Sequence, residues 1–422
     1  MKTASLIFCV VGILWTSVLA AQEKPKRVRL AQVFRSFGKN DVRDDINLFL
    51  RTYEDEINNK GGCSPLHIAA LFSEKVVDYL IKNGSDVNAL DNGNLSPLYF
   101  AAEGGNDKIV EMLVNNGADV SISNNKGMTE LHVAAYNGFD KIADILIKAG
   151  ANVDALNEVK WTPLFYAGVN DSVPVANLLI QNGAQVNAQN NDGLSILAIA
   201  IIAADSERYN CVEFLLNNGA DPNLAKEMTF VPLYFAVQNG NAKIVELLIQ
   251  KGANVNFRDE DQLAPLHFAS IKGGTREIIE LLVNNGADVN HSSKHGATAL
   301  LVAISERNTV VANALIAIGA DVNRAEYKYG QLPLHLAAQH GITSTIRLLI
   351  EKGANLQGTD NDNNTPLHYA AESGKYAAVN ALIRAGADVN AVTNDGVTPL
   401  KMAIHYRHLR VSRLLRNNGG HV

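Results

Sequence analysis

At 422 residues, 47% hydrophobic and 19% charged, the chain has a globular composition, and a mean hydropathy of −0.01 excludes a polytopic membrane protein. The formal charge of −6 reads as spread along the chain without a basic patch or acidic tail. Nucleic acid is therefore not an expected partner, since duplex binding rests on clustered Lys and Arg neutralising phosphates.

In chain order, Met1-Lys2 precedes an apolar run from Leu6 to Leu19, then Ala20-Ala21 and a polar segment from Gln22 to Arg27. Small residues at Val18 and Ala20 fit cleavage of a secretory signal over residues 1–20, and the run is short of the roughly 20 residues a membrane span needs. The mature chain is expected to begin at Ala21, outside the cytoplasm, with no stable membrane insertion. Residues 21–58 hold two helical stretches, Leu30 to Phe37 and Asn40 to Ile57, the second with Val42, Ile46, Leu48, Phe49 and Leu50 as its apolar positions. They read as a degenerate capping repeat.

From residue 59 to 422 one tetrapeptide recurs eleven times: Ser64-Pro65-Leu66-His67, Ser96-Pro97-Leu98-Tyr99, Thr129-Glu130-Leu131-His132, Thr162-Pro163-Leu164-Phe165 and onward to Thr398-Pro399-Leu400-Lys401. Its leucine returns at spacings of 32 to 36 residues, mostly 33. Ser or Thr before Pro is a helix N-cap with proline at the first helical position, where its missing N–H costs nothing. A short first helix with small alanines follows, then a second with apolar residues at helical spacing, such as Ile244, Val245 and Leu248. Glycine ends the second helix, as at Asn116-Gly117. The chain then extends through Ala-Asp-Val-Asn into a tight turn such as Asn191-Asp192-Gly193.

This two-part motif resembles the ankyrin repeat, in both its Thr-Pro-Leu-His and its Gly-Ala-Asp-Val-Asn elements. The resemblance implies an all-α repeat solenoid of helix-turn-helix units with β-hairpin fingers, whose concave side binds other proteins. It also implies structural roles for His67, His132, His267, His335 and His368, bonded to neighbouring hairpin backbone. One histidine per repeat, about 10 Å apart at helix-packing distance, cannot converge on a zinc ion. No cofactor is expected and no catalytic motif is present. Asp86, Asp119, Asp221, Asp288, Asp321 and Asp388 read as turn formers after the glycine.

At the second-helix position held by Ile81, Val114, Ile147 and their equivalents, repeat eleven has Arg416, which marks it as the C-terminal cap. Repeat five gains three residues around Asp205 to Arg208, and a longer hairpin, Arg324 to Tyr329, joins repeats eight and nine; both read as tolerated drift. Asn83, Asn94, Asn170, Asn290 and Asn363 stand in Asn-x-Ser/Thr sequons and are glycan acceptors if the secretory pathway is eukaryotic. After the signal only Cys63 and Cys211 remain, four repeats apart and so beyond disulfide reach.

The residue before each tetrapeptide lies on a finger. Six consecutive ones, Leu95, Met128, Trp161, Leu194, Phe230 and Leu263, are large and apolar. An exposed apolar row marks an interaction surface, and Tyr136 on a nearby first helix extends it. The expected function is an exported, non-catalytic, monomeric scaffold that binds a protein partner along this row. A secreted toxin or effector whose solenoid engages a host protein is the alternative.

Overall fold

The structure, a computed structural model, describes residues 62–205, 209–225, 231–271 and 273–422. The leader at 1–20, the capping segment at 21–58, Phe230 and the three-residue gain of repeat five lie outside the described residues or largely so.

Repeat ten shows why its residues fold as they do. Thr365 sits in extended backbone (φ −89°, ψ 166°) before the helix Pro366–Glu372. Its N–H donates to His368 Nδ1 at 3.1 Å, with its Oγ1 2.9 Å from the same nitrogen. The histidine thus supplies the reciprocal half of a capping box and satisfies a backbone donor the helix cannot. Leu367, Ala370 and Ala371 are fully buried on this helix, and Ala378, Val379 and Leu382 on its partner Tyr376–Arg384. Their spacing of one, three and four residues places them on one face, and burying a leucine contributes about 1.5–3 kcal/mol.

Glycine ends the second helices for a conformational reason. Gly117 follows the helix Asp107–Asn115 at φ +86°, and a Cβ there would meet nothing within 4 Å. Only the left-handed backbone favours glycine at this point. That turn lets Gly117 N reach Val114 O and Ala118 N reach Leu113 O, each at 3.0 Å, closing the last helical carbonyls.

The chain divides into two compact units, residues 1–166 with 174–184, and residues 167–173 with 185–422. In the first, Pro65–Ala70, Pro97–Gly104 and Glu130–Asn137 pack one on the next, as do the second helices Glu74–Lys82, Asp107–Asn115 and Asp140–Lys148. In the second, the same order runs from Ile196–Ala203 through Pro232–Asn239 and onward to Pro399–His405. Each unit is an all-α repeat stack whose core continues between repeats.

The fingers differ from the expected β-hairpins. Among the described residues they show only isolated bridges, Gln189 with Ser195 and Ser292 with Thr298. Side chains take the donors a ladder would use: Asn157 Oδ1 accepts from Val159 N at 3.1 Å and Trp161 N at 2.8 Å. The tips instead bond to the preceding repeat, as Glu158 N does to Lys126 O at 3.0 Å.

Candidate functional site

Three sets of polar groups order the fingers, two of them by bonds between neighbouring repeats and one within its own turn, and they decide which surface is left for binding. The first is the histidine of the tetrapeptide. With Nδ1 accepting from Thr129 N, the Nε2–H of His132 donates to Trp161 O of the next repeat at 3.0 Å. His67 reaches Leu95 O, His267 reaches Ala297 O, His335 reaches Asn364 O and His368 reaches Val397 O, all at 2.9–3.0 Å. These are the structural roles the resemblance implied. Burial lowers the pKa of all five, of His132 and His267 to about 4. In repeat six Tyr234 replaces the histidine, and its hydroxyl donates to Leu263 O at 2.9 Å.

The second set is the turn aspartates, which behave as expected: Asp86 Oδ1 accepts from Asn88 N at 2.9 Å and Asp321 Oδ1 from Asn323 N at 2.9 Å. The third set escaped the sequence reading. The asparagine two residues after such a turn aspartate, or its equivalent, clamps the next repeat. Asn256 Nδ2 donates to Gly286 O at 2.7 Å while its Oδ1 accepts from Asp288 N at 2.9 Å. Asn88, Asn223, Asn323 and Asn390 do the same. The recurring Asp-x-Asn spacing is the signal that could have revealed it.

These bonds correct the exposed row. Trp161 is only 7% exposed and Leu194 is fully buried. Among the described residues of the row, Leu95, Met128, Trp161, Leu194 and Leu263 each have the N–H held by an Asn or Asp side chain, as Leu194 N is by Asn190 Oδ1 at 2.9 Å, and at Trp161 the carbonyl is held by His132. Trp161 stacks on Phe165, centroids 5.6 Å apart, and meets Tyr166 edge-on at 5.2 Å. Leu95, Met128 and Leu263 are half-buried.

What remains accessible in the first unit is a group of half-exposed tyrosines on the first helices, beside exposed finger tips. Tyr136 and Tyr166 meet edge-on at 6.0 Å. The Tyr166 hydroxyl accepts from Asn157 Nδ2 at 2.9 Å, and burial pushes its pKa up to about 12. Leu90, Leu156 and Val159 on the fingers are exposed. This group offers aromatic faces, hydroxyls and aliphatic side chains together, the composition of a protein-binding surface.

Other sequence readings fall as follows. Asn83, Asn94 and Asn363 each donate an Nδ2 hydrogen to a backbone carbonyl, Asn290 Oδ1 accepts from Asp321 N, and Asn170 is half-buried. Neither Cys63 nor Cys211 forms a disulfide; burial pushes the Cys211 thiol up to about 12. Among the described residues no helix is long and apolar enough to cross a membrane. The even spread of charge does not hold in the last repeat, where five cations occur with no acid between Thr398 and Val422.

Helix pairs clamped to one another through side-chain to backbone bonds define a modular repeat scaffold. The chain belongs to the ankyrin-repeat family: the model for ankyrin repeats in three copies matches residues 37–124, 84–157, 131–226, 233–326 and 325–393, well over half of the chain. Ankyrin repeats generally serve as protein–protein interaction scaffolds. A stretch of 58 residues, 14% of the chain, is 43% identical to alpha-latrotoxin-Lg1a of Latrodectus geometricus, and one of 79 residues is 39% identical to human Rabankyrin-5. These stretches span only 4% and 7% of those proteins. Among solved structures the chain is similar to the ankyrin repeat domains of human ASB11 (27% identity, TM-score 0.46) and of Bcl-3 (32%, 0.47). Each likeness covers 53% of this chain, with 97% and 99% of those domains.

Proposed function

We propose that this chain is an exported, non-catalytic scaffold that binds a protein partner through the side lined by its fingers and first helices. The observation that carries the reading is the half-exposed pair Tyr136 and Tyr166 beside exposed Leu156 and Val159. Tyrosines in such a setting supply large contact area at small entropic cost, and they are common hot spots. The half-buried Leu95 and Met128 of the same unit add apolar contact, and Trp161 supports Tyr166 from beneath. Export rests on the leader read at residues 1–20. The local likeness to latrotoxins is matched by that to Rabankyrin-5, so it reflects the shared repeat and does not favour a toxin.

The test is affinity purification of the mature chain from its native compartment, compared with Tyr136→Ala and Leu156→Ser variants. Proteins recovered with the wild type and lost with both variants support the reading. Equal recovery overturns it.

A further inference from the structure

The last repeat differs in charge from everything before it. From Thr398 to Val422 the chain carries Lys401, Arg407, Arg410, Arg413 and Arg416 and no carboxylate side chain, although Asp and Glu outnumber Lys and Arg by 43 to 37 over the whole chain. All five cations are exposed, and none has an ion pair among the described residues. Two exposed lysines on earlier helices have a carboxylate one turn away, Lys82 with Asp78 and Lys148 with Asp144, both at 2.7 Å, whereas the helix Leu409–Asn417 holds no carboxylate side chain. In the helix Leu409–Asn417, Val411, Ser412 and Leu415 turn inward. Arg410, Arg413 and Arg416, three residues apart, therefore occupy neighbouring positions on its outer side. The Arg410 guanidinium lies 5.0 Å from the centre of the Tyr376 ring, which anchors it to the preceding repeat.

The repeat period shows which of these positions are normally covered. Lys401, Ile404 and Arg416 stand where repeat ten has His368, Ala371 and Ile383. His368 bonds to the following repeat and Ala371 is fully buried, whereas Lys401, Ile404 and Arg416 are open. Leu409 is 80% exposed. The surface thus combines unpaired cations with separated aliphatic side chains.

We propose that this face docks an acidic segment of a protein partner in which carboxylates are interspersed with apolar side chains. Guanidinium forks match carboxylates in bidentate geometry, and Ile404 and Leu409 offer contact to apolar side chains between them. A nucleic-acid duplex, bound chiefly through its phosphates, leaves those aliphatic residues unused. A lipid surface is matched less well, because interfacial helices sink a continuous apolar face and here that face, Val411 and Leu415, is turned into the repeat. This surface is separate from the tyrosine group and does not depend on it.

The experiment is a fluorescence-anisotropy titration of the full chain with a short labelled peptide rich in Glu, with Leu and Phe at every third position. Saturable binding that weakens with salt is expected. An R410E/R413E/R416E variant should bind at least about tenfold more weakly, and Tyr136→Ala should bind as the wild type does. If charge reversal lowers the helical signal in circular dichroism, R410Q/R413Q/R416Q takes its place. Absence of saturable binding, or equal binding by the arginine variants, overturns the proposal. So does tighter binding of a DNA duplex or of phosphatidylserine vesicles than of the peptide.

Discussion

Ser96 Oγ donates a hydrogen bond of 2.7 Å to Glu130 Oε1, joining the second repeat to the third. Glu130 holds the place that proline takes in most of the tetrapeptides and opens the helix Glu130–Asn137. It is 1% exposed, and its Oε2 has no hydrogen-bond partner.

Burial raises the Glu130 pKa from 4.5 to about 7, against the Ser96 bond and with a small contribution from the charge of Asp119. Between those values the folded chain keeps a proton the unfolded chain has released, so this group's contribution to stability falls as pH rises from about 4.5 to 7. Glu130→Gln should therefore be more stable than wild type by about 1–3 kcal/mol at pH 8 and close to it at pH 4. Urea unfolding at both values checks this; an equal difference at the two would refute the burial account.

The histidines act with the opposite sign. Their folded pKa values lie below 6.5, with His132 and His267 at about 4. As pH falls from about 6.5 the unfolded chain takes up protons the folded chain refuses, at His132 and His267 down to about 4, so stability drops as the pH falls. With five such groups against Glu130 and Asp259, whose pKa burial also raises, the net slope should follow the histidines. Melting temperature should fall between pH 7 and pH 5, and His132→Gln, less stable at pH 7, should show a smaller fall.

Trp161 belongs to the core of its unit. Cutting it to alanine removes the stack on Phe165 and should cost about 3–5 kcal/mol, seen as a lower urea midpoint. Tyr136→Ala, at a half-exposed position, should cost about 1 kcal/mol or less while affecting partner recovery. A Trp161→Ala chain as stable as wild type would return this residue to the binding surface.

Asn256→Ala removes two bonds between repeats. A loss of about 1–2 kcal/mol is expected, with faster hydrogen exchange at the Asp288 amide than at the unaffected Asp321 amide. Equal exchange at the two sites in the variant would mean that the clamp contributes nothing.

N-terminal sequencing of the secreted chain should return Ala21, and thiol titration of the denatured, unreduced mature monomer should find both Cys63 and Cys211. An intact Met1 in cytosolic protein would remove the basis for export.

The amino-acid sequence by itself determined the repeat, its helices and the positions that cap them. Thr365-Pro366, the apolar spacing of Ile109, Val110 and Leu113, and Gly117 each act within one turn of chain, so their effect is legible locally. The histidine links and turn aspartates were legible too, because they recur at the repeat period. Tertiary structure decided the direction of the finger side chains. Trp161 and Leu194 look like free apolar residues in a turn, and only their packed surroundings, such as Phe165 and Tyr166 around Trp161, show that they face inward. The asparagine clamps and the burial of Glu130 were likewise hidden. Their partners lie about one repeat away in sequence, and a hydrogen bond between repeats exists only once the repeats have stacked.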